Sequence, residues 1–505
     1  MNRLFLILTA FFALGIFSIH GQSGGVPLTQ RKWFETSTAH FNIYSCGAPL
    51  EVNKLAARLE QFCEAYSLLA GKQALASPPI VVMAFPDQEA MTPFLPLYQG
   101  KPGNLAGFFM RGNDENLIVL ALPGTNSAVT GMEVIFHEYT HLLLRRNDEI
   151  WPLWLKEGMA EIYSTFEVSE GYHVLIGQPI GHHLQLLARE PLMPLHELFS
   201  VTHDSPQYNE RSRQGIFYAE SWLLTHFLMA GGNLNYRRGF ERFNLYLNDG
   251  QLPEQAFTNA MRTTLPQMEN DLRRYLQSGR FNPIEWTVSR DLSAPEMLTK
   301  RAVTPVEVYF RLGDELFRIN RPDDAGGYFA EARDLAPASP LPYEGLGLLA
   351  AERGQHDGAL VDLQEALQRG STSFLAHYFY AREKYLLTAS SQGEYVALKN
   401  GDAADIRGEL QKSISLMPDF APAHELLGFF EMVQGENLPA AEQQLQLAIQ
   451  IEPENQSYLL TLAQAQWRNR NPDAARRTLE PLLLPVADAK LRASAEEMIR
   501  EMNRR

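Results

Sequence analysis

The spacing of apolar residues changes between strand-like and helix-like in the first half of the chain. Short runs rich in apolar and β-branched residues are typical of buried strands. Such runs lie at residues 40–45, 80–85 and 116–122. Apolar residues three and four positions apart are typical of amphipathic helices. This spacing lies at residues 50–71, 191–201, 215–232 and 265–279. The mixture predicts an α+β domain at 27–285.

The second half of the chain repeats itself. Leu312, Gly313, Ala325, Phe329 and Ala332 are followed, 34 residues later, by Leu346, Gly347, Ala359, Leu363 and Ala366. A period of about 34 residues is typical of tetratricopeptide repeats, which are pairs of helices. A third unit begins at Tyr380 and is interrupted around 390–405, a fourth contains Leu427, and a worn fifth unit at 458–482 is expected to cap the array. We therefore predict an all-α tetratricopeptide solenoid at 304–505, after a linker at 286–303.

The N-terminus has the pattern of an export signal. Arg3 precedes an apolar run at 4–19, and small polar residues follow it. This order is typical of a secretory signal, which we place at 1–21. The run is shorter than the roughly 18 to 20 residues of a membrane span, although an uncleaved N-terminal anchor is the alternative. We expect an exported protein, periplasmic or extracellular, without stable membrane insertion beyond the signal.

The net charge of the chain argues against two classes of partner. The 505 residues carry a formal net charge of −15, and nucleic acids and anionic lipid surfaces bind basic patches, so neither is an expected partner.

Exported proteins often form disulfides, and the chain has Cys46 and Cys63. Cys46 ends a predicted strand, whereas Cys63 lies about 20 Å along the next helix, at about 1.5 Å per residue. We therefore predict two buried free thiols.

One helical segment, containing HEYTH, has the residues of a zinc site. His137 and His141 are four positions apart, so on a helix both imidazoles lie on one face and can reach one ion. Glu138 is rotated off that face and can take a proton from the attacking water as general base. Thr130 and Glu133 form a capping box that is expected to start the helix.

A catalytic zinc usually has three protein ligands, so a further ligand is required downstream. Asn147 and Asp148 are expected to end the first helix, and Pro152 is acceptable in the first turn of a second one. That helix, WLKEGMAEIY, carries Glu157 and Glu161 one turn apart on one face. Glu157 is the candidate for the third ligand.

HEYTH followed by WLKEGMAE resembles the gluzincin (peptidase MA-like) zinc metallopeptidases, in which HExxH and a downstream glutamate bind the metal. The likeness extends to a family of predicted bacterial secreted peptidases with C-terminal tetratricopeptide repeats. The resemblance implies a zincin-like domain with one Zn²⁺ per chain. It makes His137, His141 and Glu157 the ligands, Glu138 the general base and Glu161 a residue that supports a ligand from behind. The stretch between His141 and Glu157 is shorter than in the aminopeptidase branch, which implies a short loop.

A bare HExxH also arises by chance, as two satisfied histidines beside a salt-bridging glutamate. Here the motif lies among apolar residues such as Phe136 and Leu142. Buried ionisable groups without partners are costly, and a metal ion is the simplest partner for all of them.

Peptidases of this class need a donor for the oxyanion of the tetrahedral intermediate. Tyr218, on the predicted helix at 215–232, is our candidate, and Tyr208, His203 and His226 are the alternatives. The choice of Tyr218 rests on position and geometric need, since no short motif marks it.

We therefore predict an exported zinc metallopeptidase that hydrolyses a peptide or protein substrate. The resemblance assigns pairing with the substrate backbone to a strand at 106–112 or 116–122. The repeats offer a concave groove for a peptide or partner protein, or they act as a spacer or shield the cleft. The alternative function is a tetratricopeptide-based protein-binding scaffold of the cell envelope, with a latent or structural metal site.

Overall fold

The computed structural model describes residues 26–70, 80–98, 100–103, 105–112, 114–122, 131–144, 151–209, 211–293, 299–388, 397–398, 401–484 and 488–504. The predicted signal at 1–21, Thr130 of the predicted capping box, and Asn147 and Asp148 lie outside these residues. Among the helices in the described ranges, none has the length and hydropathy that a membrane crossing requires.

Strands of the described residues assemble into three sheets. They are β1 (Phe34–Ser37), β2 (Phe41–Ser45), β3 (Ile80–Phe85), β4 (Leu97–Tyr98), β5 (Lys101–Pro102), β6 (Gly107–Met110), β7 (Asn116–Ala121), β8 (Glu167–Ser169), β9 (His173–Ile176), β10 (Ile284–Thr287) and β11 (Thr299–Ala302). The largest sheet has the order β11-β1-β2-β3-β7-β6. Its strands β2, β3 and β7 are parallel, and its other pairs are antiparallel. β10, β9 and β8 form the second sheet, and β4 pairs with β5.

The position of β7 in this sheet decides between the two strands proposed to border the cleft. β7 pairs with β3 on one side and with β6 on the other, so both rows of its backbone groups are used. The prediction that 116–122 could pair with a substrate is therefore wrong. β6, within 106–112, is an edge strand of the described sheet and has one row of backbone groups available.

Most helices of the first domain pack on one face of this sheet and beyond it, whereas one short helix contributes Met91 to the core on the opposite face. The helices are α1 (Pro49–Ala70), α2 (Gln88–Met91), α3 (Met132–Leu144), α4 (Leu153–Ser164), α5 (Gly181–Leu187), α6 (Leu195–Ser200), α7 (Pro206–Asn209), α8 (Arg211–Ala230), α9 (Leu234–Asn248), α10 (Pro253–Met261) and α11 (Leu265–Ser278). Ile43, Val82 and Ile118 of the sheet share one apolar core with most of these helices. Within it Phe62 of α1 stacks on Phe136 of α3 with ring centroids 4.6 Å apart.

The C-terminal array consists of paired helices, with one further helix at its end. They are α12 (Pro305–Arg318), α13 (Pro322–Leu335), α14 (Leu341–Glu352), α15 (His356–Gln368), α16 (Phe374–Leu386), α17 (Gly401–Leu416), α18 (Ala421–Gln434), α19 (Leu438–Ile451), α20 (Ser457–Arg468), α21 (Pro472–Leu479) and α22 (Ala489–Arg504). Short 3₁₀ turns lie at Leu28–Gln30, Thr92–Phe94 and Glu480–Leu483. The predicted tetratricopeptide solenoid is confirmed.

Small residues at the repeat positions let the paired helices approach closely. A Cβ added to Gly347 would lie 2.6 Å from Cγ of Leu363, and one added to Gly428 would lie 2.6 Å from Cγ of Leu445. The interruption predicted to last to residue 405 ends earlier, because α17 begins at Gly401. The fifth pair does not end the array, since α22 packs on it through Ala495 and Met498.

The first repeat also completes the core of the N-terminal domain. Alternate residues of the central strands point to the sheet face opposite α1 and α3, among them Tyr44, Met83 and Val119. These side chains share an apolar core with Leu312 and Leu316 of α12. α12 is therefore both the first helix of the solenoid and the cover of one sheet face.

The described parts of the segment predicted as a linker, 286–293 and 299–303, belong to the folded domain instead. β10 ends within it and pairs with β9, while β11 pairs with β1 at the edge of the large sheet. All four residues of β11 are exposed, so its sequence has no apolar alternation that would reveal a strand. Pairing of backbone groups, and not side-chain burial, holds it in place.

Charged contacts join the connection between β6 and β7 to the array. Nη1 of Arg318 lies 3.0 Å from Oδ1 of Asp114, and Nε of the same arginine lies 3.3 Å from Oε1 of Glu115. From the same connection, Nη2 of Arg111 lies 3.1 Å from Oε1 of Glu454, which follows α19. The array is thus held to the sheet by polar contacts as well as by the shared core.

Both cysteines are free, as predicted. Cys63 is buried, and its Sγ lies 3.1 Å from the hydroxyl of Tyr139. Cys46 is half-buried, which corrects the prediction that it is fully buried.

Candidate metal centre

Two neighbouring helices, α3 and α4, carry the predicted site. α3 is anchored in the core by Ile135, Phe136 and Tyr139, each less than 1% exposed. This anchoring leaves His137 and His141, one turn apart, on the side that faces α4. α4 follows at Leu153 and is buried along most of its length. The helical prediction for both motifs is confirmed, with α3 beginning at Met132.

The structure brings the three predicted ligands together. Nε2 of His137 lies 3.2 Å from Nε2 of His141. Oε2 of Glu157 lies 3.3 Å from each of these nitrogens. Zinc lies about 2.0 to 2.2 Å from such donor atoms, so in a tetrahedral site two ligand atoms are about 3.3 Å apart. The three donors therefore fit one tetrahedral zinc ion in both spacing and chemical type.

Solvent reaches this donor set from one side. His137 and Glu157 are each 2% exposed, whereas the side chain of His141 is 24% exposed. A catalytic zinc keeps one coordination position open, in contrast to a closed structural site with four protein ligands. Within the described residues, His137, His141 and Glu157 form the one group of histidine, cysteine and acidic side chains suited to a metal ion.

Gly158 fixes how deeply Glu157 is placed. A Cβ at position 158 would lie 2.1 Å from Oγ1 of Thr225 and 2.5 Å from the carbonyl oxygen of Ser221, both on α8. Contacts this short are not tolerated, so the glycine is required for α4 to lie directly against α8. Gly158 thus sets how closely α4 packs against α8, and with it the position of Glu157.

Electrostatics in the site favour charged carboxylates. Burial lowers the pKa of His137, but Glu161 and Glu157 outweigh it and raise this pKa well above its usual value. Burial likewise opposes the rise in the pKa of His141, which Glu157 causes. Burial raises the pKa of Glu157, but the two histidines outweigh it and hold this pKa at about 2. A metal ion binding here has to displace protons from the imidazoles, as is usual for histidine sites.

Behind the donor set, Glu161 bridges two histidines. Its Oε1 lies 3.4 Å from Nδ1 of His137, and its Oε2 lies 3.2 Å from Nε2 of His183. Burial opposes ionisation of Glu161, but His183 and His137 keep its pKa far below the usual value. The predicted place of Glu161 behind a ligand agrees with these distances. His183 was missed, because it lies 26 positions from Glu157 on another helix and follows no spacing rule.

Glu138 borders the same space. It is 8% exposed. Its charge contributes to raising the pKa values of both ligand histidines and of Tyr208 and Tyr218. The carboxylate is therefore near the donor set and near the candidate oxyanion donors, as a general base needs to be.

Two of the four candidate oxyanion donors lie at this centre. The ring of Tyr218 lies 6.1 Å from that of His137, and the ring of Tyr208 lies 6.1 Å from that of Tyr218. Burial and the charge of Glu157 raise the pKa of both tyrosines, so both hydroxyls keep their protons at neutral pH. His203 packs against Tyr208 with ring centroids 5.1 Å apart. His226 instead contacts the hydroxyl of Tyr275 at 2.8 Å.

The edge strand β6 lies beside the metal-site helix. A Cβ at Gly131, just before α3, would lie 2.8 Å from the carbonyl oxygen of Ala106, just before β6. The start of α3 therefore touches the start of the strand. An extended peptide paired with β6 would run close to the donor set.

Comparisons with known proteins concern architecture. No model of a protein family matches the chain, and no curated protein matches it. Among solved structures, YrrB, described as a tetratricopeptide protein with an unusual peptide-binding site, is 16% identical, with a TM-score of 0.31 over 38% of this chain and 91% of that one. The tetratricopeptide protein TTC0263 of Thermus thermophilus is 20% identical, with a TM-score of 0.30 over 39% and 99%. The Cut9-Hcn1 hetero-tetramer of the APC/C is 13% identical, with a TM-score of 0.30 over 74% and 71%.

TM-scores this low carry no argument about function. The solenoid assignment stands on the helix pairs themselves and on their repeat period. The resemblance to gluzincins, and with it the zincin-like character of the first domain, rests on the motif residues and remains a prediction.

Proposed function

We propose that the chain is an exported zinc-dependent metallopeptidase. The observation that carries the proposal is the triangle of His137, His141 and Glu157, whose donor atoms are 3.2 to 3.3 Å apart. A purely structural zinc would not require an acid next to the first ligand, nor a side open to solvent. Glu138 supplies the acid, and partly exposed His141 lies on the open side.

Each residue has a distinct role in the proposed reaction. His137, His141 and Glu157 would hold the ion, which supplies Lewis acidity and lowers the pKa of water toward about 7. Glu138 takes the proton from the attacking water and later delivers it to the leaving amine. The hydroxyl of Tyr218 or Tyr208 donates a hydrogen bond to the oxyanion.

An extended peptide is the substrate class that suits this arrangement. β6 offers one row of backbone donors and acceptors beside α3, and a strand added there would be held mainly by main-chain hydrogen bonds. Such binding depends little on sequence. We therefore expect unstructured segments of proteins to be cleaved more readily than folded ones.

Removal of the metal tests this function. The full chain is incubated with casein before and after treatment with a zinc chelator, and then after one equivalent of zinc is restored. Because the ion supplies the Lewis acid, cleavage is expected to fall to background and to return with zinc. Cleavage that persists after metal analysis shows complete removal would contradict the proposal.

Protein binding by the array is the second candidate, and the repeat architecture itself favours it. Stacked helix pairs form an extended concave surface of the kind such proteins use for partners. In this case the chain would act as a scaffold of the cell envelope, with a latent or structural metal site. Absence of metal-dependent cleavage would favour this second function.

A further inference from the structure

We propose that His183 positions the ligand His137 through Glu161. The inference rests on the proposed metal site and goes beyond it, because it assigns a role to a residue outside the HExxH and WLKEG motifs. Metal-binding histidines usually donate their second ring N–H to a carboxylate or carbonyl, which fixes the ring. Here the carboxylate is itself held by another histidine.

Both oxygens of Glu161 are used. Oε1 faces Nδ1 of His137 at 3.4 Å, and Oε2 faces Nε2 of His183 at 3.2 Å. With one imidazole at each oxygen, the carboxylate is prevented from turning about its own axis. Since Nδ1 and Nε2 of His137 belong to one rigid ring, the orientation of Glu161 sets the direction in which Nε2 points at the metal.

His183 is itself held in place by the core. It lies on α5, a short helix whose last residue, Leu187, and preceding residue, Ile180, are buried. Its side chain is 2% exposed, and its ring lies 6.3 Å from that of Trp222 on α8. The core therefore restricts His183, His183 restricts Glu161, and Glu161 restricts the ring of His137.

Loss of His183 has a defined consequence. Without it, Oε2 of Glu161 would be a buried charged acceptor that lacks its partner, which is costly. The carboxylate would turn or draw in water, and the ring of His137 would lose its fixed orientation. Removal of such supporting groups typically weakens metal binding by about 10- to 100-fold.

Zinc affinity tests the inference independently of catalysis. The zinc dissociation constant of the full chain is measured by competition with a chromophoric chelator, and thermal unfolding is followed on the same samples. His183→Leu removes the ring N–H, and we expect zinc to bind about 10- to 100-fold more weakly. His196→Leu, on the helix α6, is the matched control, since His196 is exposed. Its expected change is within about twofold.

A double-mutant cycle separates positioning from a general packing effect. If His183 acts through Glu161, then Glu161→Gln combined with His183→Leu weakens binding no further than Glu161→Gln alone. Losses that multiply would overturn the inference, as would unchanged affinity in His183→Leu. If His183→Leu does not fold, His183→Asn replaces it, because this side chain stays polar but is too short to reach Glu161.

The outcomes also distinguish this inference from the proposed function. A wild-type chain that binds no zinc overturns both. A wild-type chain that binds zinc, with a His183→Leu variant that binds it equally well, overturns the positioning role alone.

Discussion

Glutamine in place of Glu138 is expected to abolish peptide hydrolysis while zinc stays bound. The amide has nearly the shape of the carboxylate but cannot accept a proton, so the water loses its base. General bases contribute about 10²- to 10⁴-fold to rates, and we expect a loss in this range or larger. Zinc is retained because Glu138 is not one of the three donors whose atoms form the triangle. Casein cleavage and metal content are measured on the same preparation.

A second glutamate of the same helix provides the control. Glu133 lies one turn before His137 on α3 and is exposed. Glu133→Gln therefore makes the same chemical change outside the donor set, and its activity should stay within about twofold of the wild type. Full activity in Glu138→Gln, or loss of its zinc, would contradict the role assigned to Glu138.

Removal of the whole array, by ending the chain after residue 303, is expected to unfold the first domain. Leu312, Leu316 and Val308 of α12 are nearly fully buried against the large sheet. Burying one such side chain contributes about 1.5 to 3 kcal/mol. Together, three such side chains approach the free energy of unfolding of a typical domain, about 5 to 15 kcal/mol. The truncated chain should therefore aggregate or show no cooperative thermal unfolding in circular dichroism.

A later truncation makes the matched control. Ending the chain after residue 370 removes α16 to α22 but keeps α12 on the sheet. Repeats of a solenoid contact mainly their neighbours, so the first domain should keep its cooperative transition. The lost contact between Arg111 and Glu454 is exposed and contributes little. A soluble, cooperatively unfolding chain that ends at 303 would contradict the shared core.

Features that depend on residue spacing within one helix, strand or repeat could be predicted from the sequence. His137 and His141, and likewise Glu157 and Glu161, share helix faces through a four-residue spacing, so each pair was predictable. The central strands are buried on both faces and appear as continuous apolar runs, such as the fully buried β3. The repeats were predictable because small residues recur where helices must approach closely.

Features that depend on contacts between segments distant in the sequence could not be predicted from it. His183 meets Glu161 only because α5 and α4 both pack against α8. β11 has no buried side chain, so nothing in its residues indicates a strand. Leu312 fits the repeat pattern whether or not a sheet lies beneath it. Tyr208 and Tyr218 both fitted the need for an oxyanion donor, and the fold placed both at the site.

Zinc content is the most direct test of the central claim. The purified wild-type chain is analysed beside His141→Ala and beside His173→Ala, in which the replaced histidine pairs with Glu285 on the second sheet. One zinc per chain is predicted for the wild type and for His173→Ala, and no stoichiometric zinc for His141→Ala. A wild-type chain without stoichiometric metal would contradict the account, and the repeat array would then carry the function.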